Sequence, residues 1–297
     1  MRIALDLAET LAAVIDEGSL DAAARRLHVT PSAVSQRIKT LEESLGRVLL
    51  VRAKPARATG AGVAVVRLAR EAALLEHDAL AALGDTDDTT VRMTVPLAVN
   101  ADSLATWFLP PLARLSREMP VVFDLHRDDQ DFTAALLEGG TVMGAVTSRA
   151  TPVAGCRVSV LGVMAYEPVA TPSFAAEWFA GGATVDALTS APVVTYDRRD
   201  DLQTRWLRER GVDGARAPRH YVPASHDFAT AVGLGLGWGL LPRLHADEGL
   251  AAGALVRLDG AGIEVPLHWQ QWNLRSPLLQ AVADTIIDEG RRVLDPL

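Results

Sequence analysis

The chain has 297 residues, 49% of them hydrophobic, a net charge of −8 and a single cysteine, Cys156. That length suggests two or three domains with ample material for packed cores. One cysteine excludes an intrachain disulfide and a thiolate metal cluster, and no run of about 18 apolar residues is present to span a membrane.

The chain opens on MRIALDLAETLAAVIDEGS, which carries acids through its apolar part and so does not read as a signal peptide. With the lone thiol, read as a buried structural group, this points to the cytoplasm. Leu7, Leu11 and Val14 share one helical face, and Gly18 stops that helix.

Residues 19 to 45 read as two helices joined by a tight turn. Ser19 caps the first, whose Leu20, Ala23, Ala24 and Leu27 form one buried stripe. His28 and Val29 make the turn. Thr30 caps the second helix, and Pro31 takes its first position, where a missing N–H costs nothing. Val34, Ile38, Leu41 and Leu45 form its apolar stripe. Ser32, Ser35, Gln36 and Lys39 form a polar one without acids, flanked by Arg37. Small polar donors beside long basic side chains suit a DNA major groove. The alternative is an ordinary helix hairpin with a solvated face. Charge favours DNA: from Arg25 to Arg57 there are eight Lys/Arg and two acids, in a chain that is acidic overall.

Val48 to Val51 is a short β-prone run, followed by Arg52, Lys54 and Arg57, with Pro55 holding the path extended. This reads as a β-wing lying along phosphates or entering the minor groove, against the plainer reading of a basic loop. Thr59 or Gly60 opens a long helix to about Leu83. Its stripe of Val63, Val66, Ala69, Ala73, Leu80 and Leu83 has nothing of its own to bury against, so it predicts a dimerising linker helix. A dimer places two recognition helices about one DNA turn apart. Residues 84 to 88, GDTDD, read as an acidic hinge.

From Thr90 strands and helices alternate. Strands are expected at 91–99, 121–125, 142–147, 158–165, 193–196, 238–241, 255–258 and 265–272. Helices are expected from Asp102 or Ser103 to about Arg117, and at 131–137, 174–179, 202–210, 227–234 and from Ser276. The alternation predicts a mainly parallel α/β sheet in two lobes around a cleft. The domains are thus 1–58, 59–88 and 89–297, with one lobe at about 89–165 and 267–297 and the other at about 166–266.

SLDAAARRLHVTPSAVSQRIKTLEESLGRVLLVR (19 to 52), with the ATGAG after the wing, resembles the winged helix-turn-helix of LysR-type transcriptional regulators. The resemblance covers essentially the whole chain. It implies an α+β protein: an N-terminal winged helix-turn-helix, a long linker helix and a C-terminal two-lobed α/β periplasmic-binding-protein-like domain. Within that family the chain is most similar to the ArgP/LysG branch, through LAVNADSLATWFLP (97 to 110), MGAVT (143 to 147), VAGCRV (153 to 158), LGVMAYEPVATPSF (161 to 174) and GLGWGLLP (235 to 242). The branch implies L-lysine or L-arginine as effector and an exporter gene as target. It also implies a homodimer or homotetramer on double-stranded DNA, with RNA polymerase a further candidate partner. Where the branch carries an acid-rich Glu-Asp, this chain has Asp128-Asp129 preceded by Arg127. Where the branch has Glu after the serine of its later cleft helix, this chain has Asp227 after Ser225.

An amino-acid effector needs its carboxylate, its ammonium and its side chain recognised. Ser103 and the helix N-terminus at NADS can hold a carboxylate, with Asn100 and Thr106 as polar partners. Asp102 is a cap or an ammonium acceptor. Asp128, Asp129 and Asp227 are candidates for a cationic side chain, because an unpaired buried cation is costly. Thr147 ends a strand at the cleft edge. Trp107 either packs the ligand's aliphatic stem or fills the core.

GLGLGWG (233 to 239) lacks the third glycine of a dinucleotide motif and any Lys-Ser/Thr. No metal-ligand spacing or nucleophile motif is present, so neither a cofactor nor a metal is expected, and the reading is a regulator, not an enzyme. The alternatives are a regulator answering a different small effector, or an enzyme or solute receptor carrying an accessory DNA-binding module.

Overall fold

The computed structural model describes residues 2–83, 92–127 and 133–297. The acidic hinge at 84–88, together with Asp128 and Asp129, lies outside the described residues.

Three helices form the first core: α1 (Leu5–Glu17), α2 (Leu20–Arg26) and α3 (Pro31–Leu45). Each boundary has a local cause. Gly18 leaves α1 with a left-handed φ of 69°. The Ala22 N–H donates to Ser19 Oγ at 3.2 Å and the Ala33 N–H to Thr30 Oγ1 at 3.2 Å. Leu11, Val14, Ala23, Ala24, Val34, Ile38 and Leu41 are buried together. Full burial of one such large side chain contributes about 1.5–3 kcal/mol.

The wing is a two-stranded antiparallel ribbon, β1 (Leu50–Val51) with β2 (Arg57–Ala58). Glu42 ties it to α3 by accepting from the Leu49 N–H at 2.7 Å and the Leu50 N–H at 3.2 Å. The linker helix α4 (Gly60–Ala82) starts against it, capped by Thr59. A Cβ on Gly62 would stand 2.1 Å from the Leu49 carbonyl oxygen, so only glycine permits this approach.

The linker stripe was expected to have nothing in its own chain to cover it. Instead, α4 packs along α1 and buries Val65, Val66 and Ala69 in the first core. Arg67 and Arg70 then fasten α4 to the second domain. Arg67 donates to the Gly155 carbonyl at 3.0 Å and lies over the Trp272 ring. Arg70 bonds both Asp16 of α1 and the Gly140 carbonyl. The far end, with Leu75, Leu80 and Leu83, is exposed.

The second domain contains β3 (Met93–Val99), α5 (Ala101–Thr106), α6 (Leu109–Glu118), β4 (Val121–Arg127), α7 (Thr133–Glu138), β5 (Gly144–Thr147) and β6 (Cys156–Ala170). It continues with α8 (Pro172–Trp178), α9 (Val185–Ser190), β7 (Val193–Thr195), α10 (Leu202–Glu209), β8 (Arg219–Tyr221), α11 (Ser225–Gly233) and β9 (Gly239–Pro242). It ends with α12 (Arg243–Ala251), β10 (Val256–Arg257), β11 (Ile263–Trp272) and α13 (Pro277–Val293). The main sheet runs β10-β6-β11-β5-β3-β4, with β9 also on β6. Lobe I is built on β3, β4 and β5; lobe II carries β7, β8 and β9.

The sheet corrects the expectation of mainly parallel pairing. β3 pairs in parallel with β4 and β5, and β7 with β8, but β6, β9, β10 and β11 join antiparallel. The cause is connectivity. The chain enters lobe II along β6 and returns along β11, so the two crossing strands run in opposite directions. Their register shifts between Leu267 and His268.

The single helix expected over 102–117 is two. α5 ends at Thr106 and α6 begins at Leu109. Pro110 and Pro111 lack the N–H groups a continuous helix would need and would clash with the turn before them. Helices α9 and α12 and strand β8 are further elements that the periodicity did not indicate. Trp269 and Trp272 are buried in the core, and Trp206 packs on Trp238 with ring centroids 5.0 Å apart.

Candidate DNA-binding face and effector cavity

Helix α3 turns its apolar stripe inward, which leaves Thr30, Pro31, Ser32, Gln36 and Lys39 exposed and Ser35 half-buried on the outer side. This follows from the 3.6-residue period alone. Thr30 and Ser32 share a hydroxyl–hydroxyl hydrogen bond of 2.9 Å at the helix start. Lys39 lies 3.6 Å from Glu43, an exposed pair of little energetic weight. Arg37 is half-buried and leans back on α1, where it donates to Thr10 Oγ1 at 3.4 Å. Arg52, Lys54 and Arg57 are exposed on the wing. The face therefore offers hydroxyls and an amide at its centre and cations at its rim.

In the second domain the parallel register aligns the C-terminal ends of β3, β4 and β5. Val99 stands opposite Arg127, and Ala98 opposite Ala145. Asn100, Arg127 and Thr147 therefore share one sheet edge, and α5 starts there. A cavity of about 170 Å³ opens between this edge and lobe II. Lobe I and its crossing strand contribute Asp102, Arg127 and Tyr166. Lobe II contributes the loop after β7, with Tyr196, Asp197, Arg199 and Asp200, and then Gln203 and Phe228.

Asp102 joins the lobes. Its Oδ2 accepts from the Tyr166 hydroxyl at 2.7 Å, and its Oδ1 accepts from the Ser225 hydroxyl at the start of α11. It makes no capping bond, so the cap reading of Asp102 does not hold; Asn100 occupies the N-cap position. Asn100 is buried with neither amide atom partnered, and the buried Ser103 hydroxyl likewise has no partner. Gln203 is 2% exposed, lines the cavity, and has an unpartnered Oε1. Each such orphan costs about 1–3 kcal/mol until a partner arrives.

Burial works against the charged form of Asp197. The N–H groups of Arg199 and Asp200, at 2.6 and 3.0 Å, and the Arg199 guanidinium outweigh it, holding the carboxyl below its usual range. Asp200 accepts from the Tyr196 and Leu202 N–H groups. Behind Asp102, burial pushes the His245 ring below its ordinary pKa despite Asp102 and a hydrogen bond with the Ala105 backbone.

The remaining expected contacts lie elsewhere. Thr106 donates to the Asp102 carbonyl at 2.6 Å. Trp107 is buried in the lobe I core, edge-on to Phe108, which is the packing role. Thr147 is buried and accepts from the Arg149 N–H at 3.1 Å. Asp227 is exposed and does not line the cavity. Residues two apart on a helix do not share a face, so with Ser225 turned to Asp102, Asp227 points away. Sequence reasoning missed Tyr166, Tyr196, Asp197, Asp200 and Gln203. The signal was the acid-rich DRRDD at 197–201, which sits at a strand-to-helix junction like that of NADS.

Comparison with known proteins matches residues 5–63 to the bacterial regulatory helix-turn-helix protein, lysR family, and residues 84–291 to the LysR substrate binding domain. The HTH-type transcriptional regulator LysG of Mycobacterium tuberculosis is 46% identical over 276 residues, covering 93% of this chain and 90% of the relative. The lysine export transcriptional regulatory protein LysG of Corynebacterium efficiens is 46% identical over 288 residues, covering 95% and 96%. Among solved structures, ArgP from Mycobacterium tuberculosis superposes with a TM-score of 0.85 at 44% identity, covering 98% of each chain. Full-length LysG from Corynebacterium glutamicum with bound effector Arg gives 0.75 at 38% identity, covering 99% of this chain and 100% of that one. A winged helix-turn-helix with a cationic rim, a linker helix and a two-lobed domain around a polar cavity converge with these matches: the chain belongs to the LysR family of DNA-binding transcriptional regulators.

Proposed function

We propose that this regulator senses L-arginine or L-lysine and controls a gene for basic amino-acid export. The observation that carries the reading is the lobe II wall of the cavity. Asp197, Asp200 and Gln203 gather acceptor oxygens on one side, and a cation with several N–H donors suits that wall, where the Gln203 Oε1 stands without a partner. Asp102 serves the α-ammonium; Asn100 and Ser103 are buried behind the cavity lining at the lobe I edge, where they back Asp102 rather than line the cavity. LysG of Corynebacterium glutamicum, solved with bound Arg, supports the same ligand class here.

A ligand that contacts both lobes favours the closed arrangement, and only such differential affinity can shift the DNA-binding units. Ser32, Ser35 and Gln36 read base edges, with Thr30 and Pro31 at the helix start. Arg37, Lys39, Arg52, Lys54 and Arg57 meet phosphates. The exposed end of α4 joins a second copy, and the regulator works in the cytoplasm as a dimer or tetramer that recruits RNA polymerase. Calorimetric titration of the full chain with L-arginine, L-lysine and a panel of organic acids tests the effector. Saturable heat with the basic amino acids alone is expected; silence with both rejects this effector class.

A further inference from the structure

Each lobe brings an arginine and at least one acid to the cavity: Arg127 with Asp102, and Arg199 with Asp197 and Asp200. Acceptors dominate on lobe II, while the lobe I wall carries Arg127, the last residue of β4, beside Asp102. The two guanidiniums lining the cavity differ in their partners. Arg199 lies 3.5 Å from Asp197. Arg127 has neither an ion pair nor a side-chain hydrogen bond among the described residues. It is exposed at a wall where a ligand is to be held, and no described side chain answers its charge. Its strand register places it opposite Val99, directly before Asn100, whose buried amide is also unpartnered. Helix α5 spans only six residues, so its dipole is a weak substitute for a formal positive charge. A guanidinium meets a carboxylate through two parallel N–H bonds, a geometry that no ammonium or amide reproduces.

We propose that Arg127 is the specificity residue that recognises the α-carboxylate of the effector, so that the free amino acid is selected over its amidated or decarboxylated counterpart. This rests on the basic amino-acid reading above. The ligand then acts as a strut. Its carboxylate engages Arg127 on lobe I and its cationic end engages the acceptors on lobe II, and only a closed cleft satisfies both ends.

The test is a cycle of two ligands and three proteins. Affinities of the full chain for L-arginine and L-argininamide are measured with the native protein, Arg127→Gln and Arg127→Lys. Arg127→Gln is expected to weaken L-arginine by roughly 30-fold or more and to leave L-argininamide unchanged or tighter. Arg127→Lys, which keeps the charge without the fork, recovers part of the L-arginine loss. Equal losses for both ligands, or no loss for either, overturn the assignment to the carboxylate while leaving the effector class intact. Failure of the native protein to bind L-arginine and L-lysine at all overturns the effector reading, and this assignment with it.

Discussion

Gln36 and Arg52 are both exposed and polar, yet the fold gives them different work. Gln36 sits on the outer stripe of α3, where among the described residues its amide makes a single long contact, 3.5 Å to Thr40, and stays available to a base edge. Arg52 stands exposed on the wing, where its cation suits a phosphate. Gln36→Ala is therefore expected to cost about 1–3 kcal/mol on the operator and little on random DNA. Arg52→Ala should weaken binding to every sequence and flatten the salt dependence by about one unit of slope. Fluorescence anisotropy on specific and random duplexes at several salt concentrations checks both. Equal losses for Gln36→Ala on the two duplexes would show that it reads no base. Residues of this kind were legible early because caps and stripes depend only on neighbours a few positions away. Ser19 and Thr30 both cap as the sequence suggests. Asp227 was not legible in that way, since which face of α11 meets lobe I depends on a residue more than a hundred positions upstream.

At the scale of elements, α4 does more than carry exposed leucines toward a second copy. Its first half is the joint between the DNA-binding core and lobe I. The Arg70 side chain is 10% exposed and bonds Asp16 of α1 on one side and the Gly140 carbonyl on the other. Gly140 holds a left-handed φ of 66° at the turn after α7, which presents that carbonyl to the helix. Arg70→Ala leaves two acceptors without their donor and is expected to weaken the joint by about 1–3 kcal/mol. Differential scanning calorimetry should then show the unfolding of the N-terminal core separating from that of the larger domain. A single transition at the native temperature would show that the joint carries no coupling. The sequence displayed the helix and its stripe, but a stripe does not name its partner, and half of this one is satisfied within the chain.

For the whole molecule, the buried His268 and half-buried His245 of the larger domain tie its stability to pH. Burial pushes both His245 and His268 below their ordinary pKa. A group whose folded pKa is depressed contributes stability above its unfolded pKa and loses it as pH falls toward the folded value. For these rings the loss begins near the unfolded value of about 6.5. Around His245, Asp102 and the hydrogen bond with the Ala105 backbone favour the proton, while burial and His226 oppose it. Urea midpoints are therefore expected to fall between pH 7.5 and 5.5, and to fall less in a His245→Gln/His268→Gln variant. An identical slope in that variant would assign the acid sensitivity to other groups.

The local grammar of the chain was enough to place the winged helix-turn-helix, the linker helix and a two-lobed α/β domain. Caps, helical periods and strand–helix alternation are short-range properties, and the sequence motifs carried the family. Asp102 and its strand-to-helix junction were also visible, as was the basic rim around α3. Tertiary structure decided what those elements meet. It split the helix at Trp107, set β6 and β11 antiparallel, and brought the 197–203 segment across to face Arg127. Arg127 itself reads in sequence as a cation that confuses a pair of acids. Its place on the cavity wall, without a side-chain partner among the described residues, became evident only when strands far apart in the chain set the two lobes side by side. Cleft geometry is a sum of long-range contacts, and no window of neighbouring residues contains that sum.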